Sequence, residues 1–337
     1  MEELTYFFNI DFEKNLFSNS INHIHSNRFT QEFEFFIHLI DPQSRIYSQK
    51  RYTKEYQDYI KSFTGYRIST TQSKGNIKLW CNEYSNTDVL KKIQLKENLL
   101  KKLLQHKLLD IEIEFIKKQE KLEKDFLYKY SKSLSGAGHM SFPKDEKRLL
   151  SLLRAGETII KEKKLDRIFD FSTLYEKNNY LCRYENEVDE YYQYKGTIIG
   201  HELPELNLYK EELQELEKVI SEFTKHYSGV FSVDSFLYRD LGETKLYTAC
   251  EINARKTMGY CAYKIKEKYF SSSNFLKMKL VRNNDLVFDR EKLSRLFDDK
   301  VYLISPQDNR FFVFIFLGAT RLELSQLEDR FISDYFK

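Results

Sequence analysis

The stretch KLYTACEINAR, residues 245–255, decides how this chain is interpreted. It has the pattern of an apolar strand that ends in polar residues, and side chains two positions apart on a strand point to the same face. Glu251 and Asn253 are therefore expected side by side, where a carboxylate and an amide oxygen suit a hard cation such as Mg²⁺. Arg255 follows, with a guanidinium that can bind a carboxylate or a phosphate. The alternative is a strand end whose polar residues face water.

The strand before it supplies a third oxygen ligand. VFSVDSFLYRD, residues 230–240, is joined to the first stretch through Leu241-Gly242-Glu243, and this pattern predicts a β-hairpin. Asp234 lies in the middle of this strand and could add its carboxylate to the site.

Two earlier segments have the composition of a nucleotide site. In KYSKSLSGAG, residues 129–138, a strand lysine precedes a Ser/Gly loop, which can neutralise phosphates and surround them with backbone N–H groups. The segment is not a Walker A motif, and an ordinary flexible turn is the alternative. In TIIKEKKLDRIFDFS, residues 158–172, an apolar strand leads into a charged link, as in a hinge whose backbone pairs with adenine. A charged turn between two strands is the alternative there.

The order of these segments resembles the ATP-grasp superfamily of carboxylate–amine ligases. The resemblance covers about residues 90 to 270, and Glu251-x-Asn253-x-Arg255 is its most specific part. Two departures are Ala254, where many relatives carry proline, and a hinge that is unusually polar at Glu162-Lys163-Lys164. The resemblance implies an α/β protein with an ATP-grasp fold, built of α+β lobes behind a small N-terminal pre-ATP-grasp α/β domain.

The resemblance also implies roles for individual residues. The nucleotide would be bound by Lys96, Lys129, Ser135, Gly136, Gly138, Glu162, Leu165 and Asp170. Among these, the glycine-loop residues would contact phosphates, Glu162 and Leu165 the adenine, and Asp170 the ribose. Asp234, Glu251 and Asn253 would hold two Mg²⁺ ions. Arg255 and Lys129 would be catalytic, with Arg255 near the γ-phosphate or an acyl-phosphate.

The activity implied is ATP-dependent formation of an amide or peptide bond. ATP would phosphorylate a carboxylate of a small molecule or peptide, and an amine would then displace phosphate from the acyl-phosphate, with ADP also released. Arg167 and Arg183 flank the expected cleft and could bind an acidic substrate, or could be ordinary salt-bridge residues. Two alternatives remain open: an ATP-grasp phosphotransferase, and a non-catalytic module that binds a nucleotide or a partner.

Composition limits the other classes of function. The 337 residues suggest about two domains, and the balance of 54 basic against 51 acidic residues argues against nucleic acid as a partner. The four cysteines form no metal-ligand pattern and indicate a reducing compartment. The N-terminus has no signal-peptide pattern, and no apolar run reaches 18 residues. We therefore expect a cytoplasmic protein that binds no membrane, and a homodimer is left open.

Local patterns predict the domains and elements. We expect a pre-ATP-grasp-like domain over 1–88, an ATP-grasp domain over 89–300 with lobes of about 89–165 and 166–300, and C-terminal strands and a helix over 301–337 packed on it. Residues 87–124 have a helical pattern that begins at the cap candidate Asn86. Strands are expected around 125–131, 158–163, 166–177 and 180–188, besides the hairpin.

Overall fold

The computed structural model describes residues 4–17, 27–73, 75–82, 86–118, 122–132, 138–200, 203–284 and 288–335. Its strands form three sheets with helices packed against them. Ser135 and Gly136 of the predicted glycine loop lie outside the described residues.

The first sheet is parallel and has the strand order β3-β2-β1-β4. Its elements are β1 (Thr5–Phe7), α1 (Phe12–Leu16), α2 (Arg28–Phe33), α3 (Phe35–Ile40), β2 (Arg45–Tyr47), α4 (Lys54–Thr64), β3 (Ser69–Thr71) and β4 (Ile77–Leu79). Parallel strands need crossover connections, which the helices between β1 and β3 provide. Phe8 and Trp80 stack at 5.3 Å between ring centroids in the core beside this sheet.

The second sheet is antiparallel and has the order β5-β8-β6-β7. Its elements are α5 (Thr87–Gln94), α6 (Lys96–Gln105), β5 (Ile113–Ile116), β6 (Phe126–Tyr130), β7 (His139–Ser141), α7 (Glu146–Arg154) and β8 (Ile159–Lys163). On one face of the sheet, Tyr128 and Ile159 pack with Leu149 and Leu153 of α7. The opposite face presents Lys129, Ile160 and Glu162, and Ile160 belongs to the core shared with the third sheet.

The third sheet is antiparallel and has eight strands in the order β13-β12-β9-β10-β11-β14-β16-β15. Its elements are β9 (Asp166–Glu176), β10 (Asn179–Val188), β11 (Tyr194–Ile199), α8 (Lys210–Thr224), β12 (Val230–Asp240), β13 (Glu243–Asn253), α9 (Met258–Tyr269), β14 (Phe275–Arg282), α10 (Arg290–Leu296), β15 (Val301–Leu303), β16 (Phe311–Gly318) and α11 (Arg321–Tyr335). The predicted hairpin is confirmed: Asp240 pairs with Glu243, and Leu241 and Gly242 both have positive φ, as a tight hairpin turn requires.

The helix predicted over residues 87–124 is wrong beyond Gln105. Asn86 caps α5 as expected, since its side chain accepts a hydrogen bond from the Val89 amide at 3.2 Å. The helical pattern then ends where Lys107 takes a left-handed conformation, with φ at 56°. Residues Ile113–Ile116 instead form β5, because they pair with β8 along the edge of the second sheet. Tertiary pairing thus overrides a helical sequence pattern.

The N-terminal segment is attached to the end of β13. The backbone carbonyl of Ala254 accepts hydrogen bonds from the side-chain amide of Asn82 and from the Tyr227 hydroxyl, the latter at 2.9 Å. The Lys256 amide donates to the Cys81 carbonyl at 2.8 Å. These bonds hold Cys81 and Asn82, which follow β4, beside Arg255.

None of the helices in the described ranges is both long and apolar enough to cross a membrane.

Candidate active site

The hairpin brings the three predicted metal ligands together. In the β12–β13 register Asp234 lies opposite Glu251 and Ser232 opposite Asn253, so both acidic side chains point to the same face. The Asn253 amide donates to Asp234 Oδ2 at 2.8 Å. The site therefore has two neighbouring carboxylates, one of them hydrogen-bonded to a side-chain amide, at the end of a hairpin.

A chain of hydrogen bonds holds Asp234 from the neighbouring strands. The Ser172 hydroxyl donates to Asp234 Oδ1 at 2.6 Å, and the Asn186 amide donates to the Ser172 hydroxyl at 2.6 Å. The Thr197 hydroxyl donates to the side-chain oxygen Oδ1 of Asn186 at 3.4 Å. Consecutive strands of the sheet, from β12 across β9 and β10 to β11, thus each contribute one polar side chain.

Lys96 supplies the counter-charge to this acidic pair. Its ammonium lies 2.7 Å from Glu251 Oε2, and the Lys96 side chain is only 8% exposed. Burial opposes ionisation of Glu251, but the charge and hydrogen bond of Lys96 outweigh it and lower the pKa of that carboxyl. Burial raises the pKa of Asp234, and the adjacent Glu251 carboxylate raises it further.

Arg255 is paired with a residue from the beginning of the chain. Its Nε lies 3.1 Å from Glu13 Oε2, and Gln94 Nε2 donates to the other carboxylate oxygen of Glu13 at 2.9 Å. Burial raises the pKa of Glu13, although the Arg255 charge works against that rise. Glu13 was absent from the sequence prediction, because nothing in its local sequence marks a partner more than 200 residues away.

A third ion pair lies on the inner face of the small sheet and is buried. Lys129 contacts Glu162 Oε1, and the Tyr247 hydroxyl of β13 donates to Glu162 Oε2 at 3.0 Å. Leu127 pairs with Glu162 across the sheet, so Lys129, two residues on, points to the same face. The two predicted nucleotide residues therefore meet each other through their side chains.

A cavity of about 940 Å³ opens beside the predicted hinge. Its first wall is the chain from Lys164 to Asp170, which includes Leu165 and Arg167. The opposite wall is formed by the end of β10 and the turn that follows, together with Lys195 and Lys279. Asn186 lines this cavity and is also a member of the hydrogen-bond chain to Asp234. The cavity is thereby connected to the acidic pair.

The other predicted residues occupy different surroundings. Asp170 lines the cavity and is paired with Arg167. Gly138 is buried, and its carbonyl accepts from the Tyr130 amide at 3.0 Å. Arg183 is paired with Glu217, which agrees with the salt-bridge alternative for that residue. The individual roles that the sequence analysis assigns to these residues stay predictions.

The donor set fits a magnesium ion. Within the described ranges, no group of three His, Cys, Asp or Glu side chains is arranged to hold a metal. Mg²⁺, however, is usually bound by one or two carboxylates, with water and substrate phosphates completing its shell. Asp234, Glu251 and Asn253 offer that kind of incomplete oxygen set.

Comparison with known proteins identifies the fold. No family model matches the sequence, and no curated protein is similar to it in sequence. Among solved structures, N5-carboxyaminoimidazole synthetase from Staphylococcus aureus, complexed with ADP, matches with a TM-score of 0.55 and 12% identity over 96% of this chain and 95% of that one.

Two further structures give the same result. N5-carboxyaminoimidazole synthase from Aspergillus clavatus, in complex with ADP and 5-aminoimidazole ribonucleotide, matches with a TM-score of 0.51 and 10% identity over 99% of both chains. An ATP-grasp superfamily protein from Archaeoglobus fulgidus matches with a TM-score of 0.51 and 11% identity over 94% of this chain and all of the other. The chain therefore has the ATP-grasp fold, as the sequence predicted.

Breaking the Lys129–Glu162 pair should destabilise the protein. The two side chains are 4% and 2% exposed, so Lys129→Met leaves a buried carboxylate without its cation, at a cost of about 3 to 5 kcal/mol in free energy of unfolding. Removing both charges in Lys129→Met/Glu162→Leu should recover most of that loss. Urea unfolding measures both variants. The solvent-screened pair Lys163–Asp240 is the control, since Lys163→Met should destabilise the protein far less. Equal effects of Lys129→Met and Lys163→Met would contradict this account.

Proposed function

We propose that the chain is an ATP-dependent carboxylate–amine ligase that forms an amide or peptide bond and releases ADP and phosphate. The observation that carries this proposal is the half-buried pair Asp234 and Glu251, which is connected through Ser172 and Asn186 to a cavity beside Leu165. Within the ATP-grasp fold, this arrangement provides an acidic metal site next to a space suited to a nucleotide.

The cavity is the proposed nucleotide site. A volume of about 940 Å³ lies at the upper end of the range for small-molecule pockets, so ATP and part of a second substrate can be accommodated. Leu165 contributes to the wall at the link between β8 and β9, where backbone groups of residues 164 and 165, beyond the paired part of β8, can pair with the base. Asp170 lies on the same wall, in a position to contact the ribose. The fold likeness to an ADP-bound synthetase supports this placement.

Three cations would receive the phosphates. Lys96, Lys129 and Arg255 are each paired with a glutamate, so their charges are already held in place inside the protein. Phosphate oxygens can accept hydrogen bonds from such cations, because charge-assisted hydrogen bonds to phosphate are strong. We propose that Lys96 turns from Glu251 to the phosphates and that Lys129 contacts them while it stays paired with Glu162. Arg255 stabilises the developing acyl-phosphate.

Asp234, Glu251 and Asn253 would hold Mg²⁺, which supplies charge neutralisation for the transferred phosphoryl group. Ser172 would orient Asp234 through the hydrogen bond that it donates to Oδ1. When Lys96 leaves Glu251, that carboxylate becomes available as a ligand.

The proposed reaction has two steps. The substrate carboxylate attacks the γ-phosphorus of ATP, and the bond from that phosphorus to the β–γ bridging oxygen breaks, which yields an acyl-phosphate and ADP. The nitrogen of the amine substrate then attacks the acyl carbon, the bond from that carbon to the phosphate oxygen breaks, and the amine loses a proton. Positioning and charge stabilisation supply most of the catalysis, so no nucleophilic side chain of the protein is needed.

The domain boundaries given above, a cytoplasmic location and a small-molecule or peptide substrate belong to the same proposal. They rest on the sequence patterns and on the likeness of fold.

Binding of Mg-ATP should stabilise the folded protein. A ligand at 100 times its Kd adds about 2.7 kcal/mol, which raises the unfolding midpoint of a chain of this size by several degrees. Thermal unfolding should show this rise for the wild type and for Glu243→Gln, an exposed position on the same strand as Glu251. Glu251→Gln should abolish the magnesium-dependent part of the rise. Absence of any rise in the wild type at saturating Mg-ATP would refute the nucleotide site.

The acyl-phosphate can be trapped with hydroxylamine. The wild type, incubated with Mg-ATP, pools of amino acids and other carboxylates, and hydroxylamine, should release ADP and form a hydroxamate. Arg255→Met should reduce hydroxamate formation by roughly a hundredfold, the usual effect of removing one charge-stabilising donor. ADP release without hydroxamate would favour the phosphotransferase instead. Nucleotide binding without ADP release from any pool would favour the non-catalytic module.

A further inference from the structure

Arg255 is held by a partner that the proposed chemistry leaves in place. Its counter-ion, Glu13, belongs to α1 and is not one of the proposed metal ligands. Lys96 differs in this respect, because Mg²⁺ would take its partner Glu251 in the proposed site. The Arg255–Glu13 pair can therefore stay intact when a nucleotide binds.

The Glu13 carboxylate is fixed at both of its oxygens. Oε2 lies 3.1 Å from Arg255 Nε, and Oε1 accepts a hydrogen bond from Gln94 Nε2 at 2.9 Å. The Glu13 side chain is only 3% exposed, and that of Arg255 is 11% exposed. Neutralising the Arg255 charge would require the ion pair alone. The second hydrogen bond also fixes the orientation of the carboxylate, and with it the direction from which Arg255 is held.

The backbone at Arg255 is anchored independently of the side chain. The Arg255 amide donates to the Asn253 carbonyl at 2.8 Å, and the Lys256 amide donates to the Cys81 carbonyl, also at 2.8 Å. Because the backbone is anchored and Nε is held, the side chain has little freedom to change its rotamer. A guanidinium has five N–H donors in a planar fork, so a contact at Nε leaves the end with the two Nη groups for a phosphate.

The chain segment that supplies Gln94 also supplies Lys96. Gln94 is the last residue of α5, and Lys96 is the first residue of α6. This junction thus places a hydrogen bond on Glu13 and a cation on Glu251. All four of these side chains line one small pocket, so the two ion pairs are neighbours and one junction organises both.

We propose that Glu13 and Gln94 are positioning residues that hold the Arg255 guanidinium where the acyl-phosphate forms, an inference that rests on the proposed function. Gln94 fixes Glu13, and Glu13 fixes Arg255, so neither residue needs to touch the substrate. A charge held in advance lowers the reaction barrier, because nothing has to reorganise as negative charge develops in the transition state. The helix α1, near the beginning of the chain, thereby contributes to catalysis at the end of β13.

Gln94→Met tests this inference, with Gln57→Met as the matched control. Methionine has nearly the length of glutamine but cannot donate a hydrogen bond to Glu13, and the substitution removes no charge. Gln57 also bonds through its side-chain amide, but to the backbone of Ile68 beside the first sheet. In the hydroxylamine assay, Gln94→Met should lower kcat by roughly ten- to a hundredfold, because a misplaced group loses its contact with the transition state, and should leave the KM of Mg-ATP within about twofold. Gln57→Met should change neither.

Crystal structures of the two variants without ligand give a second readout. Arg255 should be displaced from Glu13, or occupy more than one conformer, in Gln94→Met, and it should keep its place in Gln57→Met. An unmoved Arg255 or an unchanged kcat in Gln94→Met would overturn the inference. So would a joint change of kcat and KM, which would mean that the substitution only disturbs the fold. A wild type that forms no hydroxamate would refute the proposed function, even if the structures show that Gln94 holds Arg255 in place.

Discussion

Two carboxylates held side by side, Asp234 and Glu251, are the constraint on which the arrangement of this site depends. Their cross-strand register makes them neighbours, and the fold shields both in part from bulk water. An uncompensated buried charge costs several kcal/mol, so the surrounding chain must supply cations and hydrogen-bond donors. The cation comes from Lys96 of α6, and the hydrogen bonds come from Ser172 of β9 and Asn253 of β13. The remaining structure brings these distant segments to one hairpin end.

The same principle extends to the other charged groups of the site. Arg255 is neutralised by Glu13, and Lys129 by Glu162, so each cation that could bind phosphate has a carboxylate partner inside the protein. Such pairs keep the cations in place before a ligand arrives, which lowers the cost of organising the site on binding. In the proposed site, Mg²⁺ would take the place of Lys96 on Glu251 when Lys96 binds a phosphate, so that carboxylate would keep a cation.

The sequence predicted those parts of the site that depend on local patterns. Period-two alternation placed Glu251 and Asn253 on one face, and the turn residues Leu241 and Gly242 predicted the hairpin that adds Asp234. Contacts between segments far apart could not be predicted in this way. Glu13 reaches Arg255 only through tertiary packing, and β5 forms only because β8 offers an edge for pairing.

A crystal structure of the protein with magnesium and a non-hydrolysable ATP analogue would test the central claim most directly. We expect the base in the cavity beside Leu165, and the phosphates directed toward Lys96 and Lys129. We also expect a metal ion on Asp234 and Glu251, with Lys96 no longer paired to Glu251. An analogue bound elsewhere, or an intact Lys96–Glu251 pair with no metal at the acidic residues, would contradict it.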